Sequence, residues 1–197
     1  MKKRILIPVF ILVIGILASW NWREQLFNLH NYKIGQEIDS LNHVKVYYNG
    51  DVGHILERNV AKDGYNLGLK YQCVEFVKRY YYEFYKHKMP DSYGDAIDFF
   101  DPLVKDGVIN KRRNLIQYQN PSKSKPSIGD LIVFDGTSGN KFGHVAIISD
   151  VQEDEIQIIQ QNPGPGANSR IWIDLDITED QKFSVDNKRV LGWLRMK

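Results

Sequence analysis

The one cysteine of the chain, Cys73, stands in Tyr71-Gln72-Cys73-Val74-Glu75-Phe76, where loop-like sequence gives way to a helical pattern. Much further along, Gly143-His144-Val145-Ala146-Ile147 opens a strand-like apolar run with a histidine. At a helix start, unpaired backbone N–H groups and the positive end of the dipole stabilise a thiolate. The expectation is therefore a thiol titrating below its free value of about 8.5, a usable nucleophile near neutrality. A histidine within reach supplies the base, and the two together suit acyl transfer. Each residue also has a plainer explanation. Free cysteine is a common core residue, and a strand-end histidine can be a satisfied surface group.

The surroundings weigh against coincidence. Residues 144–151 and 155–162 are two apolar runs joined by Gln152-Glu153-Asp154, which reads as a hairpin. A turn centred there sets His144 opposite Gln160 or Asn162. Period-two alternation keeps both amides on the strand face of Ile156 and Ile158. Either amide oxygen can accept from one imidazole nitrogen and turn the other towards the thiol. Gln72 adds a side-chain N–H donor beside Cys73, whose own backbone N–H points the same way. Such a pair can hold an oxyanion, each donor contributing roughly 3 kcal/mol. Glu75, two residues on from Cys73, faces another side of the helix and reads as structural.

The elements that must position these groups follow from periodicity. Cys73, Phe76, Val77, Tyr80 and Phe84 form the buried stripe of a helix ending near Lys88-Met89-Pro90. A second, shorter helix fits residues 95–104. Residues 44–48 alternate as a short strand, 49–70 read as a long glycine-bearing loop, and 111–125 as a connecting stretch. Strands are expected at 130–134, 144–151, 155–161, 170–175 and 189–196. Helices followed by closely spaced strands give an α+β fold, N-terminal helices packed on a mainly antiparallel sheet. The loop at 135–141 and the segment 162–169 are expected to wall the cleft.

The 197 residues allow one domain with a core that stands without staples. An apolar fraction of 43% argues for a packed globule rather than disorder. The net charge of +2 owes three positives to Lys2, Lys3 and Arg4, and removing them leaves about −1. That balance offers nothing to coat a phosphate backbone, so nucleic acid is not an expected partner. Residues 5–20 are uncharged, and no small-residue cleavage pattern follows them; Trp20 and Trp22 suit a membrane boundary. The expected organisation is a signal anchor or signal peptide at 1–22, a tether at 23–40 and the domain at 41–197. The domain would then lie outside the cytoplasm, anchored to the membrane or secreted, with Cys73 unable to form an internal disulfide.

Other chemistries fit poorly. Zinc hydrolysis needs three well-spaced ligands, and His54, His87 and His144 are scattered. Gly164-Pro165-Gly166 lacks the lysine of a phosphate-binding loop. Neither a metal nor an organic cofactor is expected.

Taken together, Tyr71-Gln72-Cys73-Val74-Glu75-Phe76, Ile128-Gly129-Asp130-Leu131-Ile132-Val133-Phe134, Gly143-His144-Val145-Ala146-Ile147-Ile148, Gln160-Gln161-Asn162 and Leu191-Gly192-Trp193 resemble CHAP domains, the cysteine- and histidine-dependent amidohydrolases/peptidases. Within these the sequence is most similar to the amidase domains of glutathionylspermidine synthetase/amidase. The resemblance covers roughly residues 40–196. It implies a papain-like fold with Cys73 as nucleophile, His144 as base and Gln72 as oxyanion donor. Where that amidase group has Glu-Gln-Asn, this chain has Gln160-Gln161-Asn162, so an amide, Gln160 or Asn162, orients the histidine. The expected reaction cleaves an amide through an acyl-enzyme. Peptidoglycan stem peptides are the first expected substrate, on the strength of export, and a glutathionyl-polyamine is the second. A non-catalytic binding module on the same scaffold is the remaining alternative.

Overall fold

The computed structural model describes residues 32–164 and 166–197. The expected anchor at 1–22 and the first half of the tether lie outside these residues. Among the described residues no helix is long and apolar enough to cross a membrane.

One α-helix, α1 (Cys73–Glu83), packs against an eight-stranded sheet. The strands are β1 (Glu37–Leu41), β2 (Val44–Tyr47), β3 (Arg58–Val60), β4 (Asn66–Leu69), β5 (Val108–Asn110), β6 (Leu115–Gln119), β7 (Leu131–Phe134), β8 (His144–Val151), β9 (Glu155–Ile159), β10 (Arg170–Ile177), β11 (Phe183–Val185) and β12 (Val190–Arg195). The large sheet runs β11-β10-β9-β8-β7-β12-β6-β5, antiparallel throughout, while β1-β2 and β3-β4 form separate hairpins.

Period-two alternation sorts the sheet into two cores. Leu131, Val133, Val145, Ile147 and Ile159 face α1, where Phe76, Val77, Tyr80 and Tyr81 are fully buried. Burying each of these large side chains is worth about 1.5–3 kcal/mol. Ile132, Ala146, Ile148, Ile156, Ile158 and Trp193 line the opposite face. The sheet curls over that second core, and a bridge between Ser122 and Phe183 ties β11 to the chain beyond β6. The curl explains why β8 and β9 are apolar on both sides.

Several expectations need correction. Among the described residues the plural N-terminal helices reduce to α1; residues 95–104 hold only a 3-10 turn, Ile97–Phe99. That segment is held by side chains rather than by a helical ladder: Arg113 donates to the carbonyls of Asp91, Tyr93 and Asp98. The helix stops at Glu83, short of residues 88–90, and Phe84 is exposed rather than part of its buried stripe. The loop at 49–70 contains the β3-β4 hairpin, and the connecting stretch at 111–125 contains β6, a strand central enough to pair with both β5 and β12. The strand β1 begins at Glu37, inside the span read as tether.

Candidate active site

The turn entering α1 is built to aim backbone donors at a side chain. Tyr71 adopts a left-handed conformation (φ 62°), costing on the order of 1–3 kcal/mol unless its surroundings impose it. Gln72 follows in extended conformation and makes no side-chain cap bond to the helix. A serine or aspartate there would claim the first-turn N–H groups. Left unclaimed, the N–H groups of Cys73 and Val74 face the Cys73 sulfur, together with the N–H of Val145. Val145 is the residue after His144 on β8, so the strand carrying the imidazole packs against the helix that carries the sulfur. Cys73 and His144 line one cleft of about 400 Å³, with Gln72 and Asn162.

Gly143 is needed just before the histidine. Its φ is 75°, and a Cβ there would come within 2.6 Å of the Phe134 carbonyl and press on Ile97. The close approach lets the Ile97 N–H bond to the Phe142 carbonyl, which joins the 91–98 segment to the histidine loop.

Three consecutive amides then lock the site. Gln160 Oε1 lies 2.9 Å from His144 Nε2, and Gln160 Nε2 donates to the Asn168 carbonyl at 3.0 Å. The second bond fixes which end of the amide faces the ring, so Nε2 carries the proton and Nδ1 keeps the free lone pair. Gln161 accepts from the Tyr47 N–H and donates to the Gln72 carbonyl and to Glu75. Asn162 donates to Gln72 Oε1 at 2.8 Å. The two candidates for orienting His144 are thus separated: Gln160 does so, and Asn162 holds Gln72 instead. The β8-β9 register, Ile147 with Ile159, would carry Asn162 opposite His144. The strand ends at Ile159, however, and Asn162 turns left-handed (φ 55°), which leaves the diagonal neighbour Gln160 in place.

Gln72 is more constrained than an idle donor. Its Nε2 donates to the His54 carbonyl at 2.8 Å, with a long 3.5 Å approach to the Val52 carbonyl, so one of its hydrogens is committed to the 52–54 loop. Glu75 is fully buried and structural, as expected. It accepts from Asn59, Arg79 and Gln161, tying α1 to β3 and to the chain beyond β9.

The electrostatics overturn one expectation. Burial pushes the Cys73 thiol up to about 11, and the negative charge of Asp95 pushes the same way; the backbone N–H groups only partly offset this. Burial likewise holds the His144 imidazole down at about 4, against the hydrogen bond it donates to Gln160 Oε1. Desolvation therefore outweighs the helix dipole, and at neutral pH the resting groups are thiol and neutral imidazole.

The expected wall segments contribute only in part, through Asn140 and Asn162; half of the cleft lining comes from the 52–58 and 91–98 stretches. Their glycines, Gly53 and Gly94, were visible in the sequence, but nothing there linked them to Cys73. Two other histidines make ring contacts of their own: His54 Nδ1 meets the Asn49 carbonyl and His87 Nε2 the Arg113 carbonyl.

A helix-borne thiol and a strand-borne imidazole sharing one cleft, on an antiparallel sheet packed against that helix, define an α+β protein with a cysteine–histidine site. The model of the CHAP domain matches residues 62–162, just over half of the chain, and the chain belongs to the CHAP domain family. It is 30% identical over 120 residues to the trypanothione synthetase of Crithidia fasciculata, covering 61% of this chain and 18% of that protein. Over 149 residues it is 30% identical to the bifunctional glutathionylspermidine synthetase/amidase of Escherichia coli (strain K12), covering 70% of this chain and 23% of that one. The chain thus spans about a fifth of the length of these relatives. A solved structure of Ly7917 with the hydrolyzing product of MDP matches at 26% identity over 39% of this chain and 30% of that one; at a TM-score of 0.28 the likeness carries no argument.

Proposed function

We propose that the protein is a cysteine-dependent amidohydrolase working through an acyl-enzyme. The observation that carries this reading is Cys73 and His144 lining one cleft, with the imidazole tautomer set by Gln160. The Nδ1 lone pair of His144 takes the thiol proton as the sulfur attacks the amide carbonyl. Two charges formed together offset each other where either alone is costly. The oxyanion is held by the Cys73 N–H and by the second hydrogen of Gln72 Nε2. His144 then protonates the departing amine, the C–N bond breaks, and water activated by the same imidazole releases the acid.

Peptidoglycan stem peptides are the proposed substrate. The support is the charged and apolar head at residues 1–22, which would export the domain and either anchor it to the membrane or be removed. A second reading, a glutathionyl-polyamine amide, is favoured by the similarity to the bifunctional glutathionylspermidine synthetase/amidase. Mass spectrometry of Cys73 after incubation with stem peptides or glutathionylspermidine tests both. An acyl adduct on Cys73 from one and not the other assigns the substrate. Intact wild-type substrate and no adduct from either would leave the binding-module reading.

A further inference from the structure

The 91–98 wall of the cleft contains three acids, and two have their charge answered. Asp91 pairs with Arg112 at 2.9 Å. Asp98 lies in the field of Arg113, which also donates to its carbonyl, and its Oδ2 accepts the Asp95 N–H at 2.8 Å. Asp95 differs. Its carboxylate is exposed, lines the cleft and makes no hydrogen bond or ion pair among the described residues. The one lining cation, Arg58, is engaged elsewhere: it donates to Asn66 Oδ1 at 3.0 Å and covers the Tyr93 ring at 5.5 Å.

An uncompensated carboxylate in a half-enclosed cleft is well placed to meet a cation, since field lines there are focused by low-dielectric walls. Its backbone is rigid, because the Asp95 N–H and carbonyl both bond to Asp98. Its charge also reaches the Cys73 sulfur. We propose that Asp95 is a specificity-determining residue, selecting amides that carry a positively charged amine close to the scissile bond. This deepens the amidohydrolase reading and rests on it for the substrate, but the electrostatic selection at Cys73 is testable without turnover.

The test compares alkanethiolation of Cys73 by cationic aminoethyl and anionic sulfonatoethyl methanethiosulfonate, as a ratio of rate constants at low salt. Wild type should favour the cation. Asp95→Asn should lower the ratio roughly tenfold, from a unit charge removed at short range, and Asp95→Glu should keep it. A ratio unchanged in Asp95→Asn overturns the proposal, as does a loss on Asp98→Asn alone. With amide substrates, Asp95→Asn should raise KM for a free-amine compound about tenfold relative to its N-acetylated counterpart. If no amide is cleaved by wild type while the reagent ratio still falls in Asp95→Asn, the amidohydrolase reading fails and the cation selectivity stands.

Discussion

At the scale of single residues, the proposed mechanism requires the Cys73 thiol and the His144 imidazole to ionise together. Iodoacetamide alkylation read against pH examines this. Wild-type Cys73 should react measurably near neutrality through the imidazole, whereas His144→Ala should move the profile towards the alkaline value that burial imposes. Identical profiles would deny the imidazole any hold on the sulfur. Gln160 makes a second case. Replacing its amide by a carboxylate, Gln160→Glu, puts a negative charge beside Nε2 and should raise His144 from about 4, as followed by NMR titration of the ring. Gln160→Leu removes the acceptor instead. Amide hydrolysis should then fall about 10²-fold, the lower end of what a positioned base contributes.

At the scale of elements, α1 is fastened at its N-terminal end as much by polar bonds as by apolar packing. Glu75 and Arg79 are both buried, with Nε to Oε1 at 2.6 Å. Glu75→Ala would strand Arg79 without its partner and free Asn59 and Gln161 from their acceptor. A loss of about 3–5 kcal/mol in urea denaturation is expected, the cost of leaving one buried charge unpaired. An exposed pair such as Lys45 with Glu37 should change stability by less than about 1 kcal/mol when broken.

Across the whole molecule, the half-buried imidazole makes stability depend on pH. The His144 value falls from 6.5 to about 4 on folding, so the unfolded chain takes up the proton first. Stability is then held above pH 6.5 and lost as pH falls towards 4, at up to about 1.4 kcal/mol per pH unit. Denaturant midpoints measured across this window should slope downward with acid, and His144→Gln should flatten the slope. No change of slope would mean that the imidazole stays solvated.

The sequence by itself determined the chemistry-bearing types and most of the sheet. Cys73 opening a helix, His144 opening a strand, the hairpin turn at 152–154 and the antiparallel α+β class were legible because local periodicity encodes them. Strands β7, β8, β9, β10 and β12 were legible for the same reason. The short strands β5 and β11 and the β3-β4 hairpin were not, since three or four residues carry too little pattern. β6 was hidden by its polar Gln117, which is buried only because Asn110 and Asp101 bond to it. Tertiary structure alone decided that Gln160 rather than Asn162 meets the imidazole, through the left-handed turn at Asn162. It also decided that burial outweighs the helix dipole at Cys73, and that Asp95 stands without a cation in the cleft. Each of these depends on which groups are brought together and how much water is excluded between them, and neither quantity is local to the chain.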